Sequence, residues 1–169
     1  MLNEIYNTRI LKLAADIPLT ERLAEPDATV TAVSKLCGSK VTVDVKMDGD
    51  KVVGYGADIK ACALGQASSS IMARHVIGAT AAELHEVGRE MRRMLKEGGE
   101  PPRDILGGKW ADLEVLEPVR DYKARHASTL LVFDAVEEAV DEAMAKAQAG
   151  AQGSGTPRTP ETATSTGSA

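Results

Sequence analysis

Lys40-Val41-Thr42-Val43-Asp44-Val45-Lys46-Met47-Asp48-Gly49-Asp50-Lys51-Val52-Val53-Gly54-Tyr55-Gly56-Ala57-Asp58-Ile59-Lys60 is the stretch on which the reading of the fold turns. Val41, Val43, Val45 and Met47 alternate with Thr42, Asp44 and Lys46, the period-two pattern of a half-buried strand. Asp48-Gly49 is a dipeptide that favours a tight hairpin with positive φ. The return strand carries Val53, Tyr55, Ala57 and Ile59 on one face. Working outward, a cysteine stands at each end of this hairpin. Cys37 lies in Lys35-Leu36-Cys37-Gly38-Ser39 just before it, and Cys62 in Lys60-Ala61-Cys62 just after it. Both thiols therefore fall at one end of a small sheet.

Residues 28–36 read as a further strand ahead of the Cys37-Gly38-Ser39 turn. Before it, Leu2, Ile5, Tyr6, Ile10 and Leu13 have the spacing of an amphipathic helix, and Pro18 and Pro26 punctuate a connection. After Cys62 the period changes to that of a helix running to about Val76, closed by Gly78. Thr80-Ala81-Ala82-Glu83 matches a capping box, which satisfies two orphaned amides at a helix start. Leu84, Val87, Met91, Met94 and Leu95 give that helix a core-facing stripe. A Gly/Pro-rich loop over 97–108 and a short turn over 112–117 precede a last helix expected from near Ser128, with Leu130, Phe133, Val136, Val140 and Met144 inward. The order helix, three strands, helices predicts an α+β fold: a three-stranded, mainly antiparallel sheet with helices on one face. Residues 1–147 are expected to form the domain. Residues 148–169 are rich in Gly, Ser, Thr and Pro and are expected to be a disordered tail.

The chain has 169 residues, 43% hydrophobic and 27% charged, with only 3% aromatic and a formal net charge of −5. This excess of acid argues against a nucleic-acid surface, which needs clustered Lys and Arg. No apolar stretch reaches the roughly 18 residues of a membrane span, and the N-terminus lacks the pattern of a secretory signal. A cytoplasmic location is expected. There, two cysteines read as free thiols, metal ligands or redox groups rather than a disulfide. Gly54-Tyr55-Gly56 lies inside a strand with no Gly-Lys-Ser/Thr after it, so it is no phosphate loop. Ser68-Ser69-Ser70 lacks a nucleophile elbow and is better explained by close helix packing. The acidic face Glu137, Glu138, Asp141, Glu142 and the basic face Arg89, Arg92, Arg93, Lys96 read as solvated helix surfaces. His75 and His85 sit mid-helix and read as packing or surface residues.

Chemistry therefore concentrates on the thiols. Thiolate is the form that binds metal or attacks a sulfur donor. Cys62 at a helix N-terminus would be favoured as thiolate by the backbone amides. Gly38 after Cys37 lets the chain bend tightly. Ala63, Gly65, Ala67 and Ser68 leave room beside Cys62.

In order and spacing, Cys37-Gly38 after a strand, Cys62 after the hairpin and Ala67-Ser68-Ser69-Ser70 resemble the NifU/IscU-type iron–sulfur cluster assembly scaffolds. The opening helix fits too, and Glu117-Pro118-Val119-Arg120 partly resembles that family's Pro-Val-Lys segment. The resemblance implies a compact α+β fold and a non-enzymatic scaffold or carrier. It would bind iron or a nascent [2Fe–2S] cluster, or zinc as in some branches. It would receive sulfur from a cysteine desulfurase and pass the cluster to apo iron–sulfur proteins. Cys37 and Cys62 match the first two of the family's three cysteine ligands. Ala127 is the best match to the third, and His126 beside it becomes the expected third metal ligand; Ser39 stands where an acid usually follows Cys-Gly. The fourth position stays open to water, a partner's side chain or a second subunit of a homodimer. Two alternatives accompany this reading: a zinc-binding sulfur acceptor that activates a cysteine desulfurase, and a family member that keeps the fold without metal.

Overall fold

The structure is a computed structural model that describes residues 7–154, with side chains described as far as residue 150. Helix α1 (Thr8–Ala15) is followed by β1 (Ala28–Val33), β2 (Lys40–Asp48) and β3 (Lys51–Lys60), then by α2 (Ala63–His75) and α3 (Ala81–Glu97). Three 3-10 segments (Ile105–Gly108, Ala111–Asp121, Lys123–Arg125) lead into α4 (His126–Ser154). Of the expected first helix, Leu2, Ile5 and Tyr6 lie outside the described residues. The part described is capped by Asn7, whose side chain accepts from the Ile10 amide. The last helix starts two residues earlier than expected and runs past the boundary expected at 147, to Ser154.

The three strands form an antiparallel meander in the order β1-β2-β3, as expected. Gly49 takes φ +64 in the two-residue turn between β2 and β3, and Asp48 pairs with Lys51 as the last rung. A register shift at Lys46/Met47 pairs Met47 with Val52, while Lys46 still pairs with Gly54. Val53 is thus the extra residue of a bulge, which changes the phase of the strand by one. Val52 is fully buried in place of the expected Val53, which is 52% exposed.

Helix α4 lies across β1 and β2 and also packs on α2 and α3, while α1 packs on α2. Ala28, Val30, Val41, Val43 and Val45 bury against this helical layer together with Leu64, Ile71, Leu84, Met91, Leu113 and Phe133. The second face of β2 is not solvated as its alternation suggested. Thr42 and Asp44 are buried, because the segment after α1 crosses back over the sheet. Arg22 Nε donates to Asp44 Oδ2 at 2.6 Å, the Leu23 amide to the same oxygen at 3.0 Å, and Thr29 Oγ1 to Oδ1 at 2.5 Å. Burial would push the Asp44 carboxyl up, but these donors, Arg22 foremost, hold it below its ordinary value. Gly56 is required for this crossing: a Cβ there would lie 2.1 Å from the Glu21 carbonyl oxygen.

Candidate functional site

The two cysteines reach the same end of the sheet through the register. Val33 pairs with Lys40, and Lys40 with Lys60, so the β1–β2 connection and the exit of β3 lie on one rung. In that connection the Ser34 amide donates to the Ser39 carbonyl at 2.8 Å, and the Gly38 amide to the Ser34 carbonyl at 2.7 Å. Gly38 closes the turn at φ +76, a conformation that a side chain would strain. The turn holds Cys37 out to solvent. Cys62, half-buried, is the N-cap of α2 with φ −67 and ψ 173, and its carbonyl accepts from the Gln66 amide.

A third element completes the site. Gly65, in the first turn of α2, lets α4 approach: a Cβ there would meet Ala61 Cβ at 2.7 Å and the Ser128 carbonyl oxygen at 3.2 Å. Ser128 is thereby 2% exposed, with its hydroxyl 3.5 Å from Cys62 Sγ. Cys37 Sγ lies 3.5 Å from Ser34 Oγ and 3.1 Å from Ser39 Oγ. Hydrogen bonding by Ser34 first, then Ser39, with a smaller contribution from Ser128, lowers the Cys37 thiol to about 7. The result is a pair of thiols with three buried hydroxyls around them. One thiol is exposed and ready to ionise near neutrality, the form that ligates metal and attacks sulfur donors.

His126 does not join this pair. Its Nε2 sits 3.0 Å from the Val119 carbonyl and 3.1 Å from that of Arg120, and the residue is 7% exposed. Two backbone acceptors at the end of the preceding 3-10 segment draw the ring away. Among the described residues, no three His, Cys, Asp or Glu side chains gather to hold a metal ion. Ala127, the expected counterpart of a third cysteine, is exposed on the surface of α4; the side chain that meets the Cys62 thiol belongs to the next residue, Ser128. Sequence reasoning missed Ser128 because a helix start cannot be phased to one residue without its packing partner. Ser34 and Ser39 carried a usable signal, three before and two after Cys37, where a tight turn folds hydroxyls onto the thiol.

The remaining histidines lie elsewhere. His75 Nε2 is 3.2 Å from Asp112 Oδ2, with its ring edge-on to Trp110. His85 is clamped between Glu137 at 3.0 Å and Asp141 at 2.8 Å. The acidic and basic helix faces are therefore not simply solvated: they meet in a seam between α3 and α4, where Arg92 also pairs with Asp134 and Glu137.

Comparison with known proteins places the fold in a family. The model of the NifU-like N terminal domain matches residues 6–129, a span that includes Cys37, Cys62 and Ser128. A relative described as the iron–sulfur cluster assembly scaffold protein IscU of Thermotoga maritima is 27% identical over 136 residues, covering 79% of this chain and 91% of that protein. The crystal structure of an N-terminal NifU-like protein from Brucella abortus superposes with a TM-score of 0.81 at 54% identity, covering 86% of this chain and 98% of that one. A SufU protein of Fervidobacterium islandicum, described as a candidate scaffold of the SUF system, superposes with a TM-score of 0.72 at 25% identity, covering 82% of this chain and 98% of its own. By its matched span and its α+β fold, this chain belongs to the NifU-like N-terminal domain family.

Proposed function

We propose that this protein is a non-enzymatic scaffold that gathers iron and sulfide into a nascent [2Fe–2S] cluster on Cys37 and Cys62 and passes it to apo-proteins. The observation that carries this is the placement of both thiols at one end of the sheet, Cys37 in the β1–β2 turn and Cys62 at the exit of β3, together with family membership and the scaffold roles named for its relatives. A [2Fe–2S] cluster takes four protein ligands, mostly thiolates. Two thiolates supply half of that set, so the cargo is held openly and the remaining positions fall to groups outside the pair. Such a site suits transfer better than storage. Two free cysteines fit a reducing cytoplasm, and a cysteine desulfurase is the sulfur source.

The test is anaerobic purification and reconstitution, with iron, zinc and acid-labile sulfide measured per chain. Iron with matching sulfide is expected, lost in Cys37→Ala and in Cys62→Ala while the thermal transition stays in place. Retention unaffected by either substitution would overturn the proposal.

One observation favours a second reading. Cys37 is exposed and its thiol is lowered to about 7, which suits a sulfur acceptor. Its thiolate would attack the terminal sulfur of a desulfurase persulfide. The donor's S–S bond breaks, the desulfurase leaves as thiolate, and the sulfur stays on Cys37 as a new persulfide. Mass spectrometry after incubation with a desulfurase separates the two. One added sulfur on Cys37 with no acid-labile sulfide supports the acceptor role, and sulfide with iron supports the scaffold.

A further inference from the structure

A cavity of about 380 Å³ opens at the start of α4, lined by Leu95, Lys96, Arg120, Lys123, His126 and Ala127. Its charge runs against that of the molecule. The chain carries a net −5, yet three cations from three separate elements, α3 and two 3-10 segments, surround this space and no carboxylate lines it. Of its cations, Arg120 is paired with Glu117 at 3.0 Å. Among the described residues, Lys96 and Lys123 have no ion-pair partner, so their charges are uncompensated. Arg120 is anchored through its terminal nitrogen to the Gly99 carbonyl and Glu117, while its buried Nε–H has no acceptor. A buried donor without a partner is costly. His126 turns its Nε2 to the backbone and so forms a wall. Leu95 and Ala127 give the cavity an apolar side.

We propose that this cavity binds a small polycarboxylate anion. Its volume falls within the range of roughly 300–1,000 Å³ typical of small-ligand sites. Two ammonium groups and one guanidinium, spread over three elements, match a ligand with carboxylates at more than one end. A single carboxylate would leave at least one of these cations unanswered. Neither cysteine lines the cavity, so binding there does not require metal on the thiols.

The test uses citrate as the probe and the full chain carrying Cys37→Ala and Cys62→Ala, so that metal on the thiols cannot contribute. Citrate is titrated by calorimetry and amide NMR at low ionic strength, against chloride at matched ionic strength. Saturable shifts at residues 95–96 and 120–127 are expected with citrate and not with chloride. Adding Lys96→Glu and Lys123→Glu, two exposed side chains, should raise the citrate Kd by about tenfold or more with the thermal transition retained, a change of about 1.4 kcal/mol. Unchanged affinity in that variant, or equal shifts with chloride, would overturn the proposal. Displacement of citrate by a hexaglutamate peptide at a lower concentration would also overturn it, and would make the cavity a contact for an acidic protein segment.

Discussion

Two regions of this molecule gather polar side chains, and they do so in opposite ways. Under α3, Glu83 is 6% exposed and every donor around it is answered. Trp110 Nε1 donates to Oε2 at 2.7 Å, Lys109 Nζ reaches the same oxygen at 2.8 Å, and Oε1 accepts from the Thr80 amide at 3.4 Å. Thr80 returns the favour to the Glu83 amide at 3.0 Å and completes the capping box. At the thiol end, buried hydroxyls approach two sulfurs at 3.1–3.5 Å, and Cys37 faces solvent. Polar groups that are answered internally hold elements together. Those left partly unanswered at an exposed edge are available to a ligand. The first region is built for the fold, the second for cargo.

The largest test of that contrast lies at Glu83. Glu83→Ala removes a cap and leaves the Trp110 N–H buried without an acceptor. It should cost about 3 kcal/mol, a fall in Tm of about 10 °C for a domain of this size, read by thermal denaturation. Cys37 alkylation by the refolded variant should be unchanged; a matching loss of thiol reactivity would mean that the two regions are not independent. Next comes Gly65→Ala, which forces a Cβ against Ala61 and the Ser128 backbone. Overpacking of this kind costs about 1–3 kcal/mol. Here the expected sign is a loss of metal and sulfide retention on reconstitution that exceeds the stability loss, since the start of α4 is displaced from Cys62.

Third, the rate of Cys37 alkylation should rise with pH through a midpoint near 7, measured in Cys62→Ala. Removing both hydroxyls, in Ser34→Ala with Ser39→Ala, should move the midpoint up towards the ordinary thiol value. An unmoved midpoint would show that the hydroxyls do not tune the thiol. The smallest effect belongs to the α3–α4 seam. Asp141 and Glu137 raise the His85 pKa, the Asp141 hydrogen bond foremost. The protonated ring is favoured in the folded state, so its contribution is full below the unfolded value and fades as pH rises through the folded one. The ring is 40% exposed, so the gain is under about 1 kcal/mol. His85→Gln should flatten the pH dependence of Tm above pH 6.5 and leave reconstitution intact.

How much was legible varies with how local the cause is. The capping box at Thr80 and Glu83, the α2 start at Cys62 and the β2–β3 hairpin were all readable, because each follows from residues within a turn of one another. Val53 was misplaced because a bulge changes strand phase without changing composition. Asp44 read as solvated because an alternating strand says nothing about whether its second face is covered. That cover comes from Arg22, some twenty residues away, and works only because Gly56 has no side chain.

The same division runs through the site. The sequence by itself determined that two cysteines bracket a hairpin and therefore meet at one end of a small sheet, since antiparallel pairing makes strand ends neighbours. Only the tertiary structure decided what stands opposite them. Helix α4 settles against α2 through Gly65, and the rotation set by that contact turns Ser128, rather than Ala127 or His126, towards Cys62. The orientation of a helix about its own axis depends on the surface it packs against, and that surface lies more than sixty residues away in the chain.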